Sequence, residues 1–373
     1  MTHLLVTNDF PPKVGGIQSF LWELWRRLPP ERVVVVTASY PGDRAFDARQ
    51  RFRVERLPSK VLLPVPSLVR RVRALADEAD AGLVMIDPAL PLGLAGPRLG
   101  RRYGLILHGA ELAVPARLPL SGATLRRLLS KASVLVAGGE YVATEARRLA
   151  GAGLNVVKVP PGVDTARFRP ASPEDRRRAR AAAGLPPDGR MVLALSRLVP
   201  RKGFDVVIEA AALLAPSRPD LVVAVVGRGR DRARLERLAR STGAPVRFLG
   251  SVAEETLPAL VAAADVLAVP CRSRWAGLEQ EGFGIVFLEA AACGVPAVAG
   301  RSGGAAEAVA DGETGAVVDR PQDPRAVAAA LGPLLDDADR RAAWGRAARL
   351  RAEQRFRYDH LAAVLDGALA PLE

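Results

Sequence analysis

Short apolar runs alternate with longer segments of helical periodicity along this chain, and they do so in two rounds. The first round has apolar runs at 3–10, 32–39, 83–87, 103–108, 134–137 and 156–159. The second has them at 191–196, 221–226, 246–249, 266–270, 297–300 and 316–318. Continuous apolar strands separated by helices predict parallel sheets covered on both faces. Two rounds therefore predict an α/β chain of two doubly wound, Rossmann-like domains. The stretch 160–189 is rich in proline and charge, includes Glu174-Asp-Arg-Arg-Arg-Ala-Arg180 and lacks strand character, so it reads as the connection, with the boundary near 166. The expected division is 1–166, 167–353 and a terminal segment 354–373. Open parallel sheets bind ligands outside the carboxyl ends of their strands, so two such domains facing each other predict a cleft.

Composition narrows the class. At 373 residues and 49% hydrophobic content the chain is long enough for two ordinary cores. The two cysteines, Cys271 and Cys293, lie in apolar runs, which fits buried thiols in a reducing compartment. Three histidines and no Cys/His cluster exclude a structural zinc site. The run Leu4-Leu5-Val6 is too short for a secretory leader, and the longest apolar tract, 283–300, is broken by Glu289, Gly294 and Pro296. A cytoplasmic protein is expected.

Charge adds a surface. Of the net +13, residues 1–166 hold +9, from 23 Lys and Arg against 14 Asp and Glu. Within them, 67–80 has Leu68, Val72, Leu75 and Ala79 on one helical face beside Arg70, Arg71 and Arg73. The segment 121–132 repeats the pattern with Leu125, Leu128 and Leu129 beside Arg126, Arg127 and Lys131. Both are candidates for lying on an anionic membrane, with ordinary solvated basic helices as the alternative. Nucleic acid has no support beyond charge, since aromatics are 5% and no stacking or groove-reading motif occurs.

The candidate chemistry sits where the strands end. Glu281-Gly-Phe-Gly-Ile-Val-Phe-Leu-Glu289 puts Gly282, Phe283 and Gly284 ahead of a helix that opens at Ile285 and Val286, and the first amides of a helix seat a diphosphate. Glu281 and Glu289 then bracket something elongated, such as a nucleotide sugar, with Glu281 toward sugar hydroxyls and Glu289 toward the ribose. A buried helix with one solvent-facing glutamate is the alternative. Ser196-Arg197-Leu-Val-Pro-Arg-Lys202-Gly203 crowds cations at another helix start, unfavourable unless an anion arrives. Asn8-Asp9-Phe-Pro-Pro-Lys-Val-Gly15-Gly16-Ile-Gln18 and His108-Gly109-Ala-Glu111 end strands of the first domain. A plain strand-to-helix turn is the alternative for the glycine pair.

Together Arg197, Lys202, Glu281-x7-Glu289, Val246-Arg247-Phe-Leu-Gly250 and Gly15-Gly16 resemble the retaining GT-B glycosyltransferases of the sucrose-synthase-like family, over nearly the whole chain. More narrowly, the opening Asn-Asp-Phe-Pro-Pro-Lys-Val-Gly-Gly-Ile-Gln-Ser is similar to that of the phosphatidylinositol-mannoside mannosyltransferases, which use GDP-mannose at the inner membrane face. The resemblance implies that Arg197 and Lys202 hold the donor diphosphate, that Glu289 holds the ribose, and that Glu281 and His108 stand by the donor sugar. It implies base recognition by backbone near Arg247, donor contacts at Gly15 and Gly16, acceptor contacts at Asp9 and Gln18, and a terminal helix crossing back to the first domain. It implies a hexosyl transfer, from GDP-mannose to a phosphatidylinositol-type lipid, that needs neither metal nor cofactor. A transferase for a soluble acceptor, another GT-B enzyme such as an epimerase, and a non-catalytic nucleotide-sugar-binding protein are the alternatives; the sequence leaves the oligomeric state open.

Overall fold

The structure, a computed structural model, describes residues 2–372, apart from the side chains of Ala110 and Ala116. The chain forms two compact units, Met1–Gly162 with Tyr358–Glu373, and Val163–Arg357.

The first unit is built on seven strands, β1 (Thr2–Thr7), β2 (Val33–Ala38), β3 (Arg53–Leu57), β4 (Ala81–Asp87), β5 (Arg102–Leu107), β6 (Val134–Ala137) and β7 (Val156–Lys158). Their order is β3-β2-β1-β4-β5-β6-β7 and every pairing is parallel. The second unit has β8 (Arg190–Leu195), β9 (Leu221–Val226), β10 (Val246–Gly250), β11 (Val266–Val269), β12 (Ala297–Gly300) and β13 (Gly315–Val318). Its order is β10-β9-β8-β11-β12-β13, again all parallel. In each sheet the chain works outward on one side and then returns to start the other side, so the order reverses between β1 and β4 and between β8 and β11. A crevice opens at the carboxyl ends of such a pair because the flanking connections diverge to opposite faces.

Two expectations are corrected. Strand β3 escapes the search for apolar runs because it is an edge: Arg-Val-Glu-Arg-Leu is only partly buried, and Arg56 spends its guanidinium on Asp47 (2.8 Å) and the Pro11 carbonyl (2.6 Å). Nor is 160–189 merely a connection, since Pro173–Ala182 forms a helix of the second unit. Arg180 on that helix is buried, with an ion pair of 2.9 Å to Asp265, which also takes Arg176 at 2.6 Å and accepts from the Met191 amide at 2.8 Å. The buried charges are tolerable because each is paired and hydrogen-bonded.

The terminal helix Tyr358–Leu369 belongs to the first unit and packs on Gly16–Trp25. Tyr358, Leu361, Leu365 and Leu369 join Leu21, Leu24 and Trp25 in one core. Arg27 pairs with Asp359 and Arg32 with Asp366, each at 2.8 Å, fixing the register at the rim. Leu365 is fully buried, so Leu365→Ala should cost about 2–5 kcal/mol through lost transfer energy and a residual cavity. Differential scanning calorimetry of the purified variant tests this. An unchanged melting profile would mean that the helix does not hold the first unit together.

Candidate active site

In the second unit the loops after β8 and β11 meet at the point where the strand order reverses. Lys202 is buried, and its Nζ lies 2.6 Å from Glu281 Oε2. Arg201 Nη2 stands 3.9 Å from the same oxygen, and its buried Nε has no hydrogen-bond partner. Cys271 donates its thiol to Glu281 Oε2 at 3.6 Å, and the Glu281 amide donates to Ser302 Oγ at 3.4 Å. Burial alone would raise the Glu281 carboxyl, but Lys202 and then Arg201 outweigh it and hold the group below its ordinary range. Glu281 is therefore ionised at neutral pH. Two cations around one anion leave one positive charge over, to which exposed Arg197 adds another; its side chain has no ion-pair partner among the described residues.

Backbone geometry fixes these groups. Gly203 ends the loop at φ 74°, and a Cβ there would meet the Pro270 carbonyl oxygen at 2.3 Å, so only glycine lets Lys202 come this close to β11. Gly284, at φ 90°, opens the helix Ile285–Ala292, and no side chain caps it. Its first-turn amides at Ile285 and Val286 thus remain for an anion, while Phe283 is locked edge-on against Phe356 at 5.8 Å. Glu289, one turn further along, has no hydrogen-bond partner for its carboxyl among the described residues. Burial pushes that carboxyl up to about 7, with Arg167 pulling against the shift and Glu254 adding to it. Arg247 is exposed on the edge strand β10, two strands from β8, and is not drawn into the Lys202–Glu281 cluster.

The first unit repeats the arrangement at β1, β4 and β5. His108 Nε2 lies 2.7 Å from Asp87 Oδ1, and Thr7 Oγ1 donates to Asp87 Oδ2 at 2.7 Å. The Glu111 carboxylate accepts from the backbone N–H groups of His108 and Gly109, and Phe20 packs edge-on to the imidazole at 5.8 Å. Burial opposes charging of His108, but Asp87 more than offsets it and raises the imidazole to about 9. His108 is a cation at neutral pH. In the loop after β1, Asp9 accepts from Lys13 Nζ at 2.7 Å and from Gln18 Nε2, so Asp9 and Gln18 hold each other. Gly15 leaves room for that buried glutamine: a Cβ there would lie 2.1 Å from Gln18 Oε1.

The six cations expected at a membrane are all exposed, on the helices Pro66–Glu78 and Pro119–Lys131. Arg71 pairs with Glu55, Arg73 donates to the Arg98 carbonyl and Arg126 to the Leu149 carbonyl. Arg70, Arg127 and Lys131 make no such contact among the described residues. On the apolar face Val69 and Ala76 join the buried set, and Ala79 caps the helix instead. Asp87 and Thr7 escaped the reading of motifs, and Arg201 reads in the sequence only as one of the crowded cations before Lys202. Asp87 closes an apolar strand, where a lone carboxylate is the only local sign of its role.

A buried lysine–carboxylate cluster ahead of an uncapped helix start at the reversal point of one parallel sheet, with a second such sheet in the same chain, matches the architecture of a GT-B glycosyltransferase. Residues 14–167 match the family described as Glycosyltransferase Family 4, and residues 175–351 match Glycosyl transferases group 1. The GDP-mannose-dependent alpha-(1-6)-phosphatidylinositol monomannoside mannosyltransferase of Mycolicibacterium smegmatis is 43% identical, over 98% of this chain and 98% of the relative. The GDP-mannose-dependent monoacylated alpha-(1-6)-phosphatidylinositol monomannoside mannosyltransferase of Corynebacterium glutamicum is 37% identical, over 95% and 94%. Anabaena HepE, solved in complex with UDP and glucose, superimposes over 100% of both chains with a TM-score of 0.82 at 23% identity, a likeness of fold. The chain belongs to this glycosyltransferase family.

Lys202→Met should destabilise the second unit by about 3–5 kcal/mol, because it strands a buried carboxylate. Adding Glu281→Gln should restore much of that loss. Urea unfolding of both single variants and the double variant closes the cycle; additive losses would mean that the pair is not coupled. His108 makes a separate prediction. Its raised value means that its contribution to stability is full below the ordinary histidine pKa of 6.5 and is lost as pH rises through about 9. Proton NMR should show one of the three histidines titrating near 9, moving down toward 6.5 in Asp87→Asn. Titration of every imidazole near 6.5 in the wild type would overturn the pairing.

Proposed function

We propose that this chain moves a mannosyl group from GDP-mannose to a phosphatidylinositol mannoside, with retention of configuration and without a metal, as a peripheral protein at the inner membrane face. The observation that carries the reaction class is the buried Lys202–Glu281 pair at 2.6 Å, which comes just ahead of the uncapped start of the Ile285–Ala292 helix, with exposed Arg197 on the same loop as Lys202. The choice of donor and acceptor follows the printed activities of relatives that match nearly the whole chain.

As the bond between the anomeric carbon and the diphosphate oxygen breaks, negative charge gathers on the phosphate. Arg197, Lys202 and the first-turn amides of Ile285 and Val286 oppose it, and such fixed donors act more strongly on the transition state than on the ground state. The acceptor hydroxyl then attacks from the face the leaving group vacates and gives its proton to the departing phosphate oxygen. Glu281, engaged by Lys202, is poorly placed to serve as a covalent nucleophile, which favours this single-face route. Protonated His108 supplies a hydrogen-bond donor for a sugar hydroxyl, and Glu289 accepts from the ribose hydroxyls. Asp9 and Gln18, which hold each other, are the polar groups offered to the acceptor.

A lipid acceptor is supported by the carboxyl edge of the first unit. Val14, Val61, Leu63 and Leu118 stand exposed on the segments after β1, β3 and β5, and Leu120 on the first turn of the helix Pro119–Lys131, at 87% for both Val14 and Leu120. Two of these segments lead directly into the helices that carry Arg70, Arg127 and Lys131, joining apolar side chains to cations as membrane-surface proteins do. Among the described residues no helix is long and apolar enough to cross a membrane.

The test is transfer of labelled mannose from GDP-mannose to phosphatidylinositol monomannoside in anionic vesicles. The wild type should form product in EDTA, with the anomeric configuration of the donor and with less product at high salt. Arg197→Ala should lower turnover by roughly 100-fold. Absence of transfer by the wild type, or full turnover by the variant, would overturn the reading.

A further inference from the structure

Between β11 and Glu281 the chain makes a small hairpin whose tip is not used by the phosphate seat. Arg274 and Glu279 form an isolated antiparallel bridge, with backbone bonds of 2.9 and 3.2 Å and an ion pair of 2.9 Å. The Gln280 side chain donates to the Gly277 carbonyl at 2.9 Å. The base is tied to the seat: the Arg272 amide donates to the Arg201 carbonyl at 2.9 Å, and Ser273 Oγ lies 3.2 Å from Ser302 Oγ. At the tip Trp275 and Ala276 adopt φ 48° and 52°, ahead of Gly277 at 86°. Two consecutive non-glycine residues in the left-handed region are disfavoured by crowding of Cβ against the carbonyl, and such conformations persist where the surroundings impose them. Here they hold an indole 61% exposed, against the usual preference of tryptophan for burial. The Arg274 guanidinium lies 4.6 Å from the ring centroid and braces one face. Most of the indole stays open to solvent.

We propose that Trp275 is a stacking platform for the sugar ring of the acceptor headgroup, a specificity-determining contact that rests on the function proposed above. A pyranose or cyclitol has an apolar C–H face and a hydroxyl edge. An exposed aromatic face on a hairpin whose paired strand carries the polar side chains of Glu279 and Gln280 offers a partner for both. Position selects the incoming ring. The base of the hairpin is tied to the Lys202–Glu281 cluster through Arg201 and Ser302 while Trp275 stands at the opposite, exposed end, a placement that favours the acceptor over the donor sugar held at the seat.

The experiment compares the full-length wild type with Trp275→Ala and Trp275→Phe. It uses GDP-mannose and water-soluble, deacylated phosphatidylinositol monomannoside, with GDP affinity measured in parallel by calorimetry. In Trp275→Ala the acceptor KM should rise about tenfold, while GDP affinity and melting temperature hold, and Trp275→Phe should recover most of the loss. An unchanged acceptor KM in Trp275→Ala overturns the proposal. So does a loss of GDP affinity, which would put the indole under the base, or a loss seen only with the vesicle-borne acceptor, which would put it in lipid. Failure of the wild type to use either this acceptor or its vesicle-borne lipid form would instead overturn the proposed function.

Discussion

The buried pair between Lys202 and Glu281 is the constraint around which the second unit is arranged. A lysine ammonium taken out of water is costly unless an anion meets it, and a glutamate in the same position needs a cation. Each residue makes the other tolerable. The 2.6 Å contact therefore fixes the loop after β8 against the loop after β11. Arg201 turns a neutral pair into a cluster with one net positive charge, and Arg197 adds a second at the surface. The result is a site biased toward an anion before any ligand arrives, so little reorganisation remains for the step in which charge builds on a leaving phosphate.

Parallel sheets explain why two such sites arise in one chain. Reversal of strand order between β8 and β11 puts Lys202 and Glu281 together, and the reversal between β1 and β4 does the same for Thr7 and Asp87, with His108 arriving from β5. The two pairs are electrostatically alike. In each, a buried carboxylate meets a basic nitrogen closely, Lys202 Nζ at 2.6 Å and His108 Nε2 at 2.7 Å. His108 is raised to about 9 on that account.

What could be read directly from the sequence was what lies close along the chain. The spacing of Glu281 and Glu289, the glycines before Ile285 and the cations from Arg197 to Lys202 are local patterns that turn chemistry and helix ends dictate. The alternation of apolar runs likewise foretold two doubly wound sheets, because a strand buried on both faces has no polar positions to blur it. Pairings over long separations were not legible. Nothing near Lys202 announces Glu281 as its partner, nothing near His108 announces Asp87, and Arg180 reads as surface charge until Asp265 comes beside it. Edge strand β3 was missed for the opposite reason, since its half-exposed face carries the charges that normally signal a loop.

If the central pair seats a diphosphate, its worth is visible in how the protein tells GDP from GMP, ligands that share the base and ribose. Calorimetric affinities for both, in the wild type and in the double variant Lys202→Met with Glu281→Gln, measure it most directly. The account predicts that the wild type prefers GDP by about tenfold or more and that the double variant loses most of that preference while binding GMP as before. An undiminished preference for GDP in a folded double variant would contradict it.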